Sequence, residues 1–271
     1  IFELGWGSTG AGVSQASSDC LMLLTCLILV KRDISLKDLL AVAEQIWNWA
    51  ALRASFSLNG NLFVRSLCVM SIYPIFTSLS GVMGTNVLAE NALLIQIFLI
   101  CAFFCDGLGL ATETLAGNFK GQENQDKLKF ILQISVGAGF SVALMFSGVS
   151  VLFPETVFGL LTDHAELIAE TKIYVPWLLS FLVFTSVSFL LDGYFAALAA
   201  GEIIRNAGII GIIMGFLPLA VLALHYHSNH ILWLGMSIFM AVRMVVLVAK
   251  VPSTLEHNSV TVKLSSDSPN S

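Results

Sequence analysis

Two acidic residues lie close together in one of the most apolar parts of the sequence. Asp106 and Glu113 occur in the stretch C-D-G-L-G-L-A-T-E-T-L-A-G, which runs from Cys105 to Gly117 at the end of a long apolar run. Their seven-residue spacing is about two helical turns, so both carboxyl groups would project from one face of a helix. Burial away from water favours the protonated form of a carboxyl group. Such a pair can therefore take up and release a proton when its exposure changes.

The pattern around Asp106 is repeated later in the chain. Asp192, in F-L-L-D-G-Y-F-A-A-L-A-A-G-E, also precedes a glycine and is followed five positions later by an alanine. Such an echo is expected of a helical bundle built from repeats around a polar site. The alternative is that each acid is a helix-packing residue, neutral or paired with a base. We favour a site because acids inside apolar helices are functional by default.

The composition indicates whether the protein that carries these acids is surrounded by water or by lipid. The chain has 271 residues, 56% of them hydrophobic and 11% charged, and its mean hydropathy is +0.85. A soluble domain of ordinary composition carries about 25% charged residues. Because so few charges cannot cover a surface that faces water, the protein must be surrounded by the lipid bilayer. The net charge of -5, without a run of Lys and Arg, excludes nucleic acid as a partner.

Long apolar runs define the fold class, because about 20 such residues span a bilayer as a helix. We predict an all-α, polytopic helical membrane protein with seven transmembrane helices, arranged as one helix followed by a six-helix lobe. The spans are predicted near Leu4–Val30, Phe63–Met83, Val87–Leu115, Phe130–Phe153, Tyr174–Ala200, Ile203–Leu224 and Ile231–Val251.

The orientation is predicted from the basic residues, because cytoplasmic loops concentrate Lys and Arg. With the N-terminus outside and the C-terminus cytoplasmic, all 13 Lys and Arg residues except Lys172 lie on the cytoplasmic side. That set includes Arg65 and Arg243, which lie within the ends of apolar spans. Five aromatic residues near the external ends of their spans favour the same orientation: Trp6, Tyr174, Trp177, Tyr226 and Trp233.

Further polar residues complete the candidate site. Asn91 and Gln96 share a span with Asp106, where they would either line the same cavity or form hydrogen bonds between helices. For Arg65 we expect the side chain to reach back to the cytoplasmic surface rather than to pair with an acid. Arg243 has the same two alternatives. The candidate ion- and substrate-binding residues are therefore Asp106, Asp192, Glu113, Asn91, Gln96 and Arg65.

We expect four segments along the chain. Residues 1–30 form a transmembrane helix, 31–61 a cytoplasmic linker, 62–251 the six-helix lobe, and 252–271 a disordered, Ser- and Asn-rich cytoplasmic tail. In the linker, Ser35 and Asp38 form a helix start, and apolar residues from Leu36 to Ala50 recur at helical spacing. This pattern predicts an amphipathic helix on the membrane surface. Because the sequence begins at Ile1, without Met or a signal peptide, we also expect a longer natural chain.

Several motifs, in this order, resemble the multidrug and toxic compound extrusion (MATE) family, in its DNA-damage-inducible protein F branch. They are N-L-F-V-R-S-L-C, L-A-E-N-A-L-L-I-Q, D-G-L-G-L-A-T-E-T-L-A-G, Y-V-P-W, L-L-D-G-Y-F and H-I-L-W-L-G-M-S-I-F-M-A-V-R. The resemblance implies the sixth helix and the C-terminal lobe of a twelve-helix transporter in a bacterial inner membrane. Its partners would be membrane lipid and the N-terminal lobe, which these residues do not include.

The resemblance also implies a function. Such proteins are not enzymes and need no cofactor; they export organic cations or amphipathic drugs in exchange for protons or sodium. Asp192 would match an aspartate that binds the cation in one branch. Sodium-coupled members carry a glutamate on the second span, whereas no acid lies between Leu62 and Gly84 here. We therefore expect H+ rather than Na+ as the coupling ion.

There are two alternatives, one within transporters and one from a different class. A lipid-linked saccharide flippase would need more basic residues in the cavity. A seven-helix receptor of the rhodopsin type would need a lysine within the last span, whereas Lys250 lies at its cytoplasmic end.

Overall fold

The computed structural model describes residues 7–33 and 48–266, and all regular structure in these residues is helical. The helices are α1 (Gly7–Asp33), α2 (Trp49–Met83), α3 (Thr85–Gly121), α4 (Gln125–Leu152), α5 (Pro154–Gly159), α6 (Ala165–Thr171), α7 (Pro176–Ala197), α8 (Gly201–Ile210), α9 (Leu217–Tyr226) and α10 (Asn229–Ser266). A π-helical segment, Gly211–Phe216, joins α8 to α9.

Seven helical stretches in the described residues are long and apolar enough to cross a membrane, which confirms the predicted fold class. They are Gly12–Leu29, Ser55–Met83, Thr85–Gly121, Gln125–Leu152, Pro176–Ala197, Gly201–Tyr226 and Asn229–Thr254. The sixth stretch consists of α8, the π-helical segment and α9, so one predicted span is built from three helical pieces.

The chain divides into two compact units, Ile1–Phe56 and Ser57–Ser271. In the first unit, apolar side chains of α1 are exposed, among them Leu21, Met22 and Ile28. Such exposure is compatible with a helix that is surrounded by hydrocarbon. The second unit contains the remainder of α2 and all later helices.

The helix boundaries differ from the prediction at two places. Helix α2 begins at Trp49, well before the predicted Phe63, and most of the predicted amphipathic helix lies outside the described residues. Helix α10 continues through Pro252 to Ser266, where a disordered tail was expected. The hydroxyl groups of Ser253 and Thr254 donate to backbone carbonyls of the preceding turn, which supports the helix beside the proline. The last five residues of the tail lie outside the described residues.

Helix α7 is the central helix of the second unit. Its span is 78% buried, against at most 50% for any other candidate span in the described residues. It packs against α3, α4 and α10, and its hydroxyl-bearing side chains bond to carbonyls of their own helix, as Thr185 does to Phe181. Because α7 is enclosed on nearly all sides, any charged group on it must find its partner inside the bundle.

Helices α3 and α7 are in backbone contact where Gly109 meets Gly193. A Cβ atom added to Gly193 would overlap the carbonyl oxygen of Gly109, and one added to Gly109 would lie 3.4 Å from the carbonyl oxygen of Phe189. Gly107, the counterpart of Gly193 in the sequence echo, has no neighbour within 4 Å. Small residues let membrane helices approach this closely. The contact places the Asp106 segment of α3 beside the Asp192 segment of α7.

A second glycine contact positions α10. A Cβ atom on Gly211 would lie 2.8 Å from Cγ of Arg243, and one on Gly215 would lie 2.8 Å from Cα of Phe239. Both glycines belong to the π-helical segment, and Pro218, which has no N–H to donate, lies two residues after its end. The wider helix and the missing side chains together leave room for the arginine on α10.

We expect Gly193→Ala to lower stability and Gly107→Ala to leave it unchanged or slightly raised. Overfilling a packed contact costs about 1–3 kcal/mol, whereas Gly to Ala in an open helical position gains up to about 1 kcal/mol. The measurement is the thermal unfolding midpoint of the purified protein in detergent. Equal midpoints for the two variants would contradict the proposed packing role of Gly193.

Candidate functional site

The Asp192 carboxylate on α7 is held by two arginines from two other helices. Its Oδ2 atom accepts hydrogen bonds from Nη2 (2.6 Å) and Nε (3.0 Å) of Arg65 on α2. The same oxygen accepts a third bond from Nη2 of Arg243 on α10, at 2.7 Å. Asp192 is 7% exposed and the Arg243 side chain is fully buried, whereas the Arg65 side chain keeps 22% of its surface exposed.

The surroundings of this ion-pair cluster explain how its charges tolerate burial. The guanidinium groups of Arg65 and Arg243 lie 5.5 Å and 5.7 Å from the ring centres of Phe189 and Phe239, which is cation–π range. With two guanidinium groups and one carboxylate, the cluster carries a net positive charge. Two buried atoms, Oδ1 of Asp192 and Nε of Arg243, have no hydrogen-bond partner among the described residues.

A cavity of about 420 Å³ lies beside the cluster, between α2, α3 and α7. Four of the predicted site residues line it: Arg65, Asp106, Glu113 and Asp192. Asp106 is exposed and Glu113 half-buried, so neither α3 carboxyl group is enclosed by the described residues. The structure therefore brings these four residues together.

Asp106 and Asp192, the two acids of the repeated Asp-Gly motif, are in different environments. Within the described residues Asp192 forms two salt bridges, whereas Asp106 forms none. The difference follows from the helices that carry them, because α7 is enclosed by its neighbours whereas this face of α3 borders the cavity. Similar motifs thus give one paired carboxylate and one that remains available.

Asn91 and Gln96 line a different cavity from Asp106, contrary to the first of the two alternatives for them. This second cavity, of about 230 Å³, is also lined by Ser80 on α2. The Asn91 amide nitrogen donates to Ser80 Oγ (2.7 Å) and to Asn229 Oδ1 (2.8 Å), and its oxygen accepts from Asn229 Nδ2 (3.0 Å) and Trp233 Nε1 (2.8 Å). All four hydrogen bonds of the amide are made, so Asn91 joins α2, α3 and α10 as the second alternative anticipated.

Two expectations about single side chains, those for Arg65 and Trp233, are wrong, and Arg243 follows the second of its two alternatives, pairing with an acid. Arg65 pairs with Asp192 instead of reaching back to the membrane surface, because Asp192 lies within hydrogen-bond distance. Arg243 is likewise enclosed, so neither arginine carries information about orientation. Trp233 is fully buried beside Asn91 and is not part of an interfacial belt.

Arg243 is the residue of the site that the candidate set omitted. The signal for it was present in the sequence, since an arginine well inside an apolar span is rarely without a partner. Which partner it has depends on the packing of α7 against α10, which the residue pattern does not encode.

Comparison with known proteins gives consistent matches over most of the chain. The MatE family profile matches residues 62–222. DNA damage-inducible protein F of Escherichia coli (strain K12) is 26% identical over 244 residues, which cover 90% of this chain and 52% of that protein. The chain therefore spans about half the length of the curated relatives it matches.

Solved structures match the fold at lower sequence identity. A MOP superfamily transporter from Pyrococcus furiosus superposes with a TM-score of 0.75 at 20% identity, over 96% of this chain and 58% of that one. A crystal structure of MATE in complex with MaL6 matches with a TM-score of 0.75, also at 20% identity, over 97% of this chain and 59% of that one. These matches confirm the all-helical fold.

We expect Asp192→Asn to destabilise the protein strongly and Asp106→Asn to have little effect on stability. The first change leaves the fully buried Arg243 without its counter-ion, and breaking a buried pair in this way costs about 3–5 kcal/mol. Asp106 is exposed, and surface changes stay within about 0.5 kcal/mol. Thermal unfolding in detergent, followed by tryptophan fluorescence, measures both. Adding Arg243→Gln to Asp192→Asn should recover part of the loss; equal stability of the two single variants would refute the assignment.

We expect Asn91→Leu to be destabilising by at least about 2 kcal/mol, because the Trp233 N–H and the Asn229 amide would both lose buried partners. Gln96→Leu, an exposed position on the same helix, is the matched control and should change little. Urea or thermal unfolding of the two variants gives the comparison. A drop of the same size in both would mean that the amide pair contributes nothing specific.

Proposed function

This chain belongs to the MatE family, and we propose that it forms the C-terminal half of a secondary antiporter that exports organic cations or amphipathic drugs in exchange for protons. The exchange site in this proposal is the cavity between α2, α3 and α7. Asp106 binds the coupling proton there, and Glu113 is a second acid on the same wall.

The availability of Asp106 carries the proposal. Asp192 is already neutralised by Arg65 and Arg243, so its charge cannot easily be given up to a ligand. Asp106 lines the same cavity without a salt bridge among the described residues. A group that alternates between a proton and a cation has to be ionisable, accessible and not permanently paired, and Asp106 meets all three conditions.

The charges of the cavity couple the binding of the proton to that of the substrate. Within the cavity, ionised Asp106 and Glu113 attract a cation, and protonation of either removes part of that attraction. Proton and substrate therefore compete for the same acids, so the uptake of one promotes the release of the other. Such competition, combined with alternating exposure to the two sides, is sufficient for antiport.

A proton suits this cavity better than a metal cation as the coupling ion. Hard metal cations take several oxygen ligands at once, but the two arginines already balance the charge of Asp192 and would repel a metal cation beside it. A proton needs only one carboxylate. The absence of an acid between Leu62 and Gly84 favours the same choice.

A flippase for lipid-linked saccharides is the weaker proposal. Of the two arginines at the site, Arg243 is fully buried and Arg65 alone lines the cavity, beside two acids. A phosphate-bearing lipid would meet more negative than positive charge there.

We further propose an orientation in a bacterial inner membrane, with the N-terminal end outside and the C-terminal end cytoplasmic. Lys120, Lys127 and Lys129 lie around the loop between α3 and α4, which supports a cytoplasmic position for that loop. Lys172, the one exception, donates to Glu155 Oε1 at 2.6 Å, and this contact lowers the pKa of the Glu155 carboxyl through the hydrogen bond and the lysine charge. The second lobe of the transporter, proposed as the partner, would close the other side of the cavity.

The test is the pH dependence of tetraphenylphosphonium binding, since the charge of this cation does not titrate. Wild-type affinity should rise with pH, by up to about tenfold per pH unit where Asp106 is still protonated. Asp106→Asn should bind more weakly and with a smaller pH dependence, because an amide cannot ionise and Glu113 is then the acid of the pair that still titrates. Calorimetry on the full-length protein in detergent measures this.

Asp163→Asn, an exposed loop position outside the cavity, is the matched control and should behave as wild type. Wild-type binding that is equally tight at pH 5.5 and pH 8 would count against proton coupling at Asp106.

A further inference from the structure

We propose that Glu90 and Glu170 form a second proton-binding site, outside the exchange cavity, and that the bound proton holds the short helix α6 against α3. Glu90 belongs to the motif L-A-E-N-A-L-L-I-Q on α3, and Glu170 lies on α6. Glu90 precedes Asp106 by sixteen residues of the same helix, or about 24 Å. Neither glutamate lines the cavity between α2, α3 and α7, so the site is independent of the exchange proposed at Asp106.

Glu90 is a buried acid that has no base beside it. The residue is 6% exposed, and its Oε2 atom has no hydrogen-bond partner among the described residues. The salt bridges in this part of the chain include neither Glu90 nor Glu170. An ionised carboxylate that is buried in this way is costly unless a positive charge or hydrogen-bond donors compensate it. Glu90 therefore requires either a cation or a proton.

The group that faces Glu90 is another carboxyl group. The side chains of Glu90 and Glu170 lie within hydrogen-bond distance of each other. An ionised carboxylate only accepts hydrogen bonds, whereas a protonated carboxyl group also donates one. A hydrogen bond between the two glutamates therefore requires one proton on the pair, as in other sites where two carboxyl groups share a proton. With both groups ionised, two negative charges would be in contact.

The bases around this pair have other partners. Lys172, two residues after Glu170, donates to Glu155 Oε1 at 2.6 Å. His230 on α10 accepts a hydrogen bond at Nδ1 from an indole N–H, at 3.1 Å. Among the described residues, Glu170 is the charged group that acts most strongly on Glu90. The other titratable groups on the elements around the pair are exposed or half-buried: Asp163, His164, Glu166 and Tyr174.

A metal cation is the weaker occupant of this site. Hard cations take about six or more oxygen ligands. Within the described ranges, no group of three or more His, Cys, Asp or Glu residues could hold a metal ion. Two carboxyl groups, of which one is buried, suit a single shared proton better.

The pair joins a firmly held helix to a short one. Next to Glu90, the amide of Asn91 makes four hydrogen bonds to α2 and α10, which hold this end of α3 in place. Helix α6 has seven residues; its Thr171 is fully buried, and its Ile168 packs against the apolar core. These contacts exist with or without the proton, so we expect the proton to strengthen the docking of α6 rather than to create it.

Proton binding and the docking of α6 are linked. The proton bridges the two carboxyl groups only while α6 lies on α3, so the docked arrangement binds it more tightly. By linkage, a low pH favours docking and a high pH favours release. In the proposed orientation both glutamates lie at the external end of the bundle, so the site responds to the pH outside.

The experiment is hydrogen–deuterium exchange of the α6 amides in the full-length protein in detergent, at pH 5.5 and pH 8. After correction for the intrinsic exchange rates, wild-type α6 should be protected about tenfold more strongly at pH 5.5, as one charge-assisted hydrogen bond would give. Infrared difference spectra between the same two pH values detect the proton itself. Glu90→Gln should lose part of the C=O stretching band that protonated carboxyl groups give at pH 5.5.

Three variants assign the pH dependence to the pair. Glu90→Gln should keep α6 protected at both pH values, because a glutamine amide donates to ionised Glu170 without a bound proton. Glu170→Gln should behave in the same way toward Glu90. Glu166→Gln is the matched control, since Glu166 is exposed on the same short helix. It should keep the wild-type pH dependence.

Equal protection of wild-type α6 at the two pH values would overturn the proposal, whether or not any variant folds. It would also be overturned if Glu90→Gln kept the wild-type pH dependence or if Glu166→Gln lost it. A loss of protection at pH 5.5 on addition of EDTA would mean that a metal cation, not a proton, holds the pair. Asp106→Asn should leave the exchange of α6 unchanged, so failure here does not affect the proposed antiport.

Discussion

A carboxylate inside a membrane-spanning bundle has to be paired or reach water, and Asp192 is paired twice. Its oxygen Oδ2 is the point at which α2, α7 and α10 are joined, through Arg65 and Arg243. Desolvation of these charges is costly, so the three helices have to keep the positions that satisfy them. The shape of the cavity beside the cluster depends on these helix positions, because α2 and α7 form two of its walls.

Two polar ties connect α2 and α10, some distance apart along both helices. One is the arginine–aspartate cluster; the other is the amide network of Asn91 with Ser80 and Asn229. Along α2 the two ties are fifteen residues apart, or about 22 Å. Both ties border cavities, but the amide network is fully hydrogen-bonded, whereas the arginine–aspartate cluster retains unpartnered atoms. The amide network is therefore a satisfied structural contact, and the charged cluster retains polar atoms beside its cavity.

The third wall of the cavity is α3, and its position depends on two glycines, which have no side chains. Gly109 and Gly193 allow α3 and α7 to touch through their backbones, which sets the acids of α3 opposite the arginine of α2. The two acids of the repeated motif therefore differ: Asp192 joins three helices, whereas Asp106 forms no salt bridge among the described residues. This difference is the basis for the proposed exchange of protons at Asp106.

The sequence by itself determined the number of spans, the fold class, the family and four of the residues that line the cavity. These features depend on hydropathy, on helical periodicity and on motif order, all of which are local along the chain. Only the tertiary structure decided that Arg65 and Arg243 meet Asp192, that Asn91 and Gln96 lie at another cavity, and that Gly193 rather than Gly107 makes the helix contact. A long side chain in an apolar helix can reach several partners, and the distance between helices determines which one it finds.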